Sequence, residues 1–464
     1  MKNIVESRAM FLLSIVLLML FGIVNIFTTT FTKSEQISND VKNQLVFYAI
    51  GLLIIFFMNY LPVSIFLSNK FKITILVIQI ILLVLVLTNG IKVGVAQRWL
   101  DTGIFYIQPA EIAKLVIALC ISWAFNKKQK SMNTFRNVSS SNKKHIFLYT
   151  THLLQNNIDK IVYISISILI IILVFLQNSL GNTIIILLIF TCLLIRNIFN
   201  TKAIYLFSLM FSAITGLLLA YVFYSMELPN SLDKILLILL LYIIFLFPIG
   251  ILLKLKFKLI LLITFIFVIS FFIPRIITFL YDNILIDYQK NRIIGFLNPN
   301  IDYLGINWQR NQAIIAFGSG RLFGHGLMNG KIISEKLLPY AHTDFAFATI
   351  GEQFGFIGSI VLMSTYFYIF HYILLVFYKT ESLFFRNVLF GIFLLIFFNV
   401  IQHIGMNIGV LPVTGMTLPL VSYGGTSVIV YCISFGIVMS IKSNNYNAMK
   451  IKNIDFSKVF IRNN

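Results

Sequence analysis

Long apolar runs recur along almost the whole chain, separated by short polar segments. Each run holds about 20 residues, enough for a helix rising 1.5 Å per residue to cross a hydrocarbon core of about 30 Å. The pattern predicts spans near residues 9–29, 44–67, 71–90, 109–126, 161–177, 180–197, 203–225, 235–253, 259–280, 346–377, 387–409 and 420–441. The expected fold is therefore all-α, a polytopic transmembrane helical bundle of about twelve spans forming one integral membrane domain. No small-residue cleavage site follows the first run, so it is expected to stay as an anchor rather than act as a signal peptide.

Composition narrows the class further. Of 464 residues, 59% are hydrophobic and 11% charged, against roughly 25% charged in soluble domains. The net charge of +20 first suggests nucleic acid, but its placement argues otherwise. With the N-terminus inside, the segments predicted to be cytoplasmic carry most of the Lys and Arg. Of the 16 acids, only Glu6, Asp159, Glu381 and Asp455 fall there. This is the positive-inside pattern, and it puts both termini in the cytoplasm and leaves no role for nucleic acid. Cys120, Cys192 and Cys432 lie in three different apolar runs, which suits buried apolar thiols better than a disulfide framework or a metal site.

Three regions are expected outside the membrane: a cytoplasmic loop 127–160, an extracytoplasmic loop 281–345 and a cytoplasmic tail 442–464. The outer loop carries the candidate chemistry. Asp344 sits where it meets the next apolar run, with water on one side and hydrocarbon on the other. Nearby hydrocarbon raises a carboxyl pKa and suits it to proton transfer. The competing reading is that Thr343 or Asp344 caps the helix that starts beside it. Upstream, the Gly318–Gly326 cluster with Ser319 and Arg321 has spacing that lets backbone N–H groups approach a phosphate. Arg292, Arg310 and Arg321 offer charge for a pyrophosphate, although a cluster of plain turns reads the same way. His342 is close enough in sequence to hydrogen-bond a substrate held by Asp344. No histidine cluster has metal-ligand spacing.

Two further stretches stand out. Pro109 opens a span, with Glu111 and Lys114 three residues apart on one of its faces, where ionisable groups at membrane depth normally pair. Pro412, Pro419 and Gly424-Gly425 predict broken helix at membrane depth, tolerated only where it is buried in protein or lines a cavity.

Taken in order, these motifs resemble the SEDS family of RodA/FtsW-type peptidoglycan polymerases. The matching residues are Ala96-Gln-Arg-Trp99, Gln108-Pro-Ala-Glu111 with Lys114, Asn291-Arg-Ile-Ile-Gly-Phe-Leu-Asn-Pro299, Gln312 and Gly318-Ser-Gly320. They continue through Leu338-Pro339, Ala341-His-Thr-Asp-Phe345, Gly351-Glu352 and Gly415-Met-Thr-Leu-Pro-Leu-Val-Ser-Tyr-Gly-Gly425. The resemblance implies a glycosyltransferase of the bacterial cytoplasmic membrane that polymerises lipid II, the undecaprenyl-pyrophosphate-linked disaccharide-pentapeptide, on the outer face. It places the family's essential aspartate on Asp344 as general base. It also lends a substrate-binding or supporting role to Arg98, Glu111, Lys114, Glu352, Ser422 and Tyr423. Arg310, Gln312, Ser319, Arg321, His342 and Thr343 complete that set of candidates.

The implied partners are a single-pass class B penicillin-binding protein and other elongation or division proteins. The implied cofactor is at most a divalent cation, Mg2+ or Mn2+, with no ligand set identified. Such proteins usually have ten spans, which places the two extra ones in an inserted hairpin within 203–280. Tyr340, Ser179 and Gln353 stand where relatives often carry acids, and Arg321 where they carry Gly. Ala96-Gln-Arg-Trp99 resembles the elongation type and Ala341-His-Thr-Asp344 and Thr417-Leu-Pro419 the division type, with the balance leaning slightly to the RodA-like, elongation side. Rival readings are a flippase for the same lipid and a scaffold for a transpeptidase.

Overall fold

The structure, a computed structural model, describes residues 2–31, 38–93, 96–103, 105–126, 143–198, 287–297, 305 and 307–459. The chain divides into two compact units, 1–194 with 291–464, and 195–290. The second lies almost wholly outside the described residues, as do the spans predicted at 203–225, 235–253 and 259–280 and the hairpin assigned to them.

The other nine predicted spans are all helices. They are α1 (Lys2–Thr30), α2 (Asn39–Tyr60), α3 (Asn69–Asn89), α4 (Pro109–Ala124), α5 (Lys143–Leu176) and α6 (Leu180–Ile198). After α7 (Asp287–Leu297), α8 (Trp308–Ser319) and the single turn α9 (Lys331–Ser334) come α10 (Ala346–Lys379), α11 (Leu383–Asn407) and α12 (Gly425–Val459). Eight of them are long and apolar enough to cross a membrane. The ninth, α4, is shorter and lies inside the bundle, with every residue from Pro109 to Ala124 buried except Ile112. It packs against α3, α5, α11 and α12, while α2 lies along α12, and α10 lies against α1, α8 and α11. Around α4, one continuous apolar core includes Leu115, Ile189, Leu389 and Phe435.

Several expected boundaries shift. α2 stops at Tyr60 because Pro62 follows, and the rest of the predicted 44–67 span is a 3-10 turn, Val63–Leu67. α5 begins at Lys143, so the predicted 127–160 loop is partly helix. α12 runs on through the predicted tail to Val459. The outer region 281–345, expected as loop, contributes α7, α8 and α9. A small antiparallel sheet was not foreseen in an all-α fold: β1 (Ile91–Val93), β2 (Ala96–Asp101) and β3 (Tyr106–Ile107), in that order. Ile91 faces Trp99, and Leu100 faces Ile107. Its polar and β-branched residues alternate over too few positions to stand out between two long apolar runs.

The predicted break between α11 and α12 is real. Gly409, Gly415 and Leu420 take positive φ of 77°, 71° and 62°, and the chain from 410 to 424 is irregular. Its carbonyls are nonetheless satisfied by the bundle. The Tyr366 hydroxyl donates to Pro419 O at 2.6 Å, and the Tyr48 hydroxyl to Leu420 O at 2.6 Å. Gln402 Nε2 reaches Pro412 O at 3.2 Å. Both tyrosines are buried. Irregular backbone can persist at membrane depth only with such partners.

Candidate active site around Asp344

Asp344 precedes α10, yet it does not cap it. The helix begins at a Phe345 N-cap with no side-chain capping bond. Its first free N–H groups go instead to two side chains of α11. Phe347 N donates to His403 Nε2 at 3.3 Å, and Ala348 N to Asn407 Oδ1 at 2.9 Å. The other half of each side chain ties down neighbouring backbone. His403 Nδ1 donates to Met416 O at 2.7 Å, and Asn407 Nδ2 to Asp344 O at 3.1 Å. One turn of α11 thus caps α10, grips the main chain of Asp344 and fastens the irregular segment. The Asp344 carboxylate is left for other work, which overturns the capping reading.

That carboxylate faces a wall built from distant parts of the chain. A Cβ placed on Gly415 would come within 3.3 Å of Asp344 Oδ2 and 3.9 Å of Arg292 Nη1. Arg292, on α7, donates from Nη1 to Val413 O at 2.7 Å. Arg98, on β2, donates to Asn178 O in the turn between α5 and α6. The start of α6, just after that turn, packs on the irregular segment, since a Cβ on Gly181 would lie 3.0 Å from Thr414 Cβ. Burial raises the Asp344 pKa to about 6, while Arg292, Arg98 and a Thr343 hydrogen bond pull it down. The result is a carboxylate that ionises near neutrality beside two guanidiniums. Gly415 is required twice here, by its positive φ and by its approach to the carboxylate. Gly415→Ala is therefore expected to lower turnover at least about tenfold, since displacement of a reacting group by about 1 Å can cost 10²-fold. Steady-state kinetics of the folded variant measure this.

The segment before Asp344 is held by backbone and hydroxyl bonds. Ser422 Oγ donates to Thr343 O at 2.6 Å and accepts from Leu418 N at 2.9 Å. Tyr423 N donates to His342 O at 2.9 Å, and the His342 and Tyr423 rings lie 5.8 Å apart. Burial lowers the His342 pKa, with Asp40 opposing. Thr343 Oγ1 turns back to Tyr340 O at 3.2 Å. Ser422, Tyr423, His342 and Thr343 are therefore next to Asp344, as the sequence placed them.

Other candidates stand elsewhere. Glu111 and Lys114 form an ion pair of 2.7 Å inside the bundle, with Asn399 Oδ1 3.0 Å from the ammonium. Arg310 donates to Gly409 O at 2.9 Å, Ser319 Oγ bonds to Ala316 O at 2.8 Å within α8, and Gln312 is buried on α8. Glu352 Oε1 accepts from Ile332 N at 2.8 Å, so this carboxylate braces α9.

The glycine cluster with Arg321 is not a phosphate cradle, because its N–H groups are used within the fold. Gly324 N donates to Gly320 O at 2.7 Å, His325 N to Glu352 O at 3.0 Å, and Gly326 N to Gln353 O at 3.0 Å. A divalent cation does not fit the donor set either. The charged groups that act on Asp344 are guanidiniums, and among the described residues no group of three His, Cys, Asp or Glu could hold a metal.

His403 and Asn407 are what sequence reading missed. Their only signal is polarity inside an apolar span at i, i+4 spacing, 56 and 59 positions from the N–H groups they cap. His403→Ala is expected to lower the melting temperature by freeing buried N–H and C=O groups, at about 1–3 kcal/mol each. Any activity that depends on Asp344 should fall with it, and thermal unfolding beside an activity assay checks both.

Comparison with known proteins adds the lineage. The family model for FtsW, RodA and SpoVE, described as "Cell cycle protein", matches residues 8–228 and 208–447, so the chain belongs to this family of polytopic membrane proteins. Peptidoglycan glycosyltransferase MrdB of Escherichia coli K12 is 29% identical over 396 residues, covering 85% of this chain and 84% of that protein. The probable peptidoglycan glycosyltransferase FtsW of Haemophilus influenzae is 27% identical over 454 residues, covering 96% and 92%. Among solved structures, Thermus thermophilus RodA matches with a TM-score of 0.50 at 18% identity, covering 94% of this chain and 96% of that one. A chain from the structure described as "Structural coordination of polymerization and crosslinking by a peptidoglycan synthase complex" matches with a TM-score of 0.56 at 21% identity, covering 94% and 97%. These two likenesses concern the fold.

Proposed function

We propose that this protein is a peptidoglycan glycosyltransferase that polymerises lipid II on the outer face of the cytoplasmic membrane, with Asp344 as general base. The observation that carries the reading is the Asp344 carboxylate itself, spared from capping and flanked by Arg292 and Arg98. Ionised Asp344 takes the proton from the 4-hydroxyl of the acceptor sugar. The resulting oxygen nucleophile attacks the donor's anomeric carbon with inversion, and the bond from that carbon to the pyrophosphate oxygen breaks. Undecaprenyl pyrophosphate leaves with the electron pair, its growing charge met by the guanidiniums. The proton remains on Asp344 until it is passed to water.

The proposed partner is a single-pass class B penicillin-binding protein, whose crosslinking would use the strand made here in elongation or in division. A flippase would need a charged path across the bilayer, whereas the buried pair Glu111 and Lys114 is closed on itself and on Asn399. The test is to incubate the purified protein, alone and with its transpeptidase, with labelled lipid II in vesicles. Long glycan strands support the polymerase. Translocated but unpolymerised lipid II would contradict it.

A further inference from the structure

The segment that failed as a phosphate cradle has another use. α10 is broken at Gly355, where φ is 66° and ψ is −162°. Segment 318–326 fills the break. Phe356 N donates to Arg321 O at 2.8 Å and Ile357 N to Leu322 O at 3.1 Å, while His325 and Gly326 donate to the carbonyls of Glu352 and Gln353. Gly324 and Gly355 meet backbone to backbone, with no room for a Cβ on either. The height of the segment on α10 is thereby fixed.

That height is where α10 changes surroundings. From Ala346 to Gln353 every residue is buried in protein. From the break onward the helix exposes Phe356, Ile357, Ile360, Val361 and Phe367, the large apolar surface a span presents to lipid. The part after the break, 356–379, is long enough alone to cross a core of about 30 Å. Leu322 and Phe323 sit at the break, 59% and 78% exposed, beside the apolar surface begun by Phe356 and Ile357. The exposed charges of segment 318–340 are Arg321, next to the tip in sequence, and Lys331 and Lys336 against Glu335, a basic balance beside an apolar tip.

We propose that the Leu322–Phe323 tip is seated in the outer leaflet, its side chains among the acyl chains and Arg321 among the headgroup phosphates. It pins to the membrane the outer region that ends in Asp344. Apolar tips beside basic charge are what phospholipid surfaces select, and adjacency to the exposed apolar side of α10 argues for lipid rather than a protein occupant. This goes beyond the catalytic reading and does not depend on it.

The test places an environment-sensitive NBD fluorophore on Phe323→Cys, with Leu322→Cys as a second site and Glu335→Cys as the water-side control. All three are made in Cys192→Ala full-length protein, Cys120 and Cys432 being buried. The protein is reconstituted in phosphatidylcholine vesicles containing phosphatidylglycerol, and folding is verified by melting temperature. At 323 or 322, spin-labelled acyl chains should quench several-fold more than aqueous iodide, with the reverse at 335. Equal iodide quenching at 323, 322 and 335 would put the tip in water and overturn the proposal. Protection from both quenchers would show a protein covering it, and would also overturn it. The readout is location, so it stands or falls separately from polymerase activity.

Discussion

Asp344→Asn is expected to abolish glycan polymerisation while leaving the protein folded. General-base catalysis contributes about 10²–10⁴-fold, so residual activity should fall by at least that range. The same substitution has a stability signature that a merely structural aspartate would not give. Burial holds the Asp344 carboxyl near 6, above its ordinary 3.8. The folded state thus binds the proton more tightly than the unfolded chain. The ionised form weakens the fold progressively as pH rises from about 4 to about 6, and by a constant amount above that. The amide removes this burden, so at neutral pH Asp344→Asn should melt at or above the wild-type temperature. Activity retained by Asp344→Asn would remove the aspartate from the chemistry. Loss of activity together with a lower melting temperature would assign it a structural role.

The second large effect lies inside the bundle. Lys114 is fully buried and Glu111 nearly so, at 0% and 4% side-chain exposure, with 2.7 Å between them. Removing one member strands the other as a buried charge, at a cost of about 3–5 kcal/mol. Lys114→Met is therefore expected to destabilise by that amount, and Glu111→Gln with Lys114→Met to recover most of it. Thermal unfolding of the single and double variants in detergent measures the difference. A double variant no more stable than the single would show that Lys114 acts through Asn399 and the surrounding packing instead.

How far the sequence reveals the molecule depends on the kind of interaction. Apolar runs of span length read directly as helices, because lipid demands that every backbone group be satisfied within its segment. Asp344 could be located because an acid at a water-lipid boundary is costly and rare, and the motif around it has a known family pattern. The partners of Asp344 were harder to see. Arg292 and Gly415 carry signals of their own, but nothing local says that they meet the same carboxylate. The capping of α10 by His403 and Asn407 was invisible for the same reason, and the nearest candidates in sequence, Thr343 and Asp344, gave the wrong cap. The glycines at 318–326 misled in another way. Gly spacing reports only that backbone comes close to something, and here that something is the broken turn at Gly355 rather than a phosphate.

The most direct test of the central claim is the pH dependence of polymerisation by the wild-type protein and by Arg292→Gln. The wild type should gain activity through an acid limb centred near pH 6, where Asp344 ionises. Loss of a guanidinium that favours the ionised form should move the limb of Arg292→Gln to higher pH. A wild-type limb near pH 4, or one that stays in place when Arg292 is neutralised, would contradict Asp344 acting as the base.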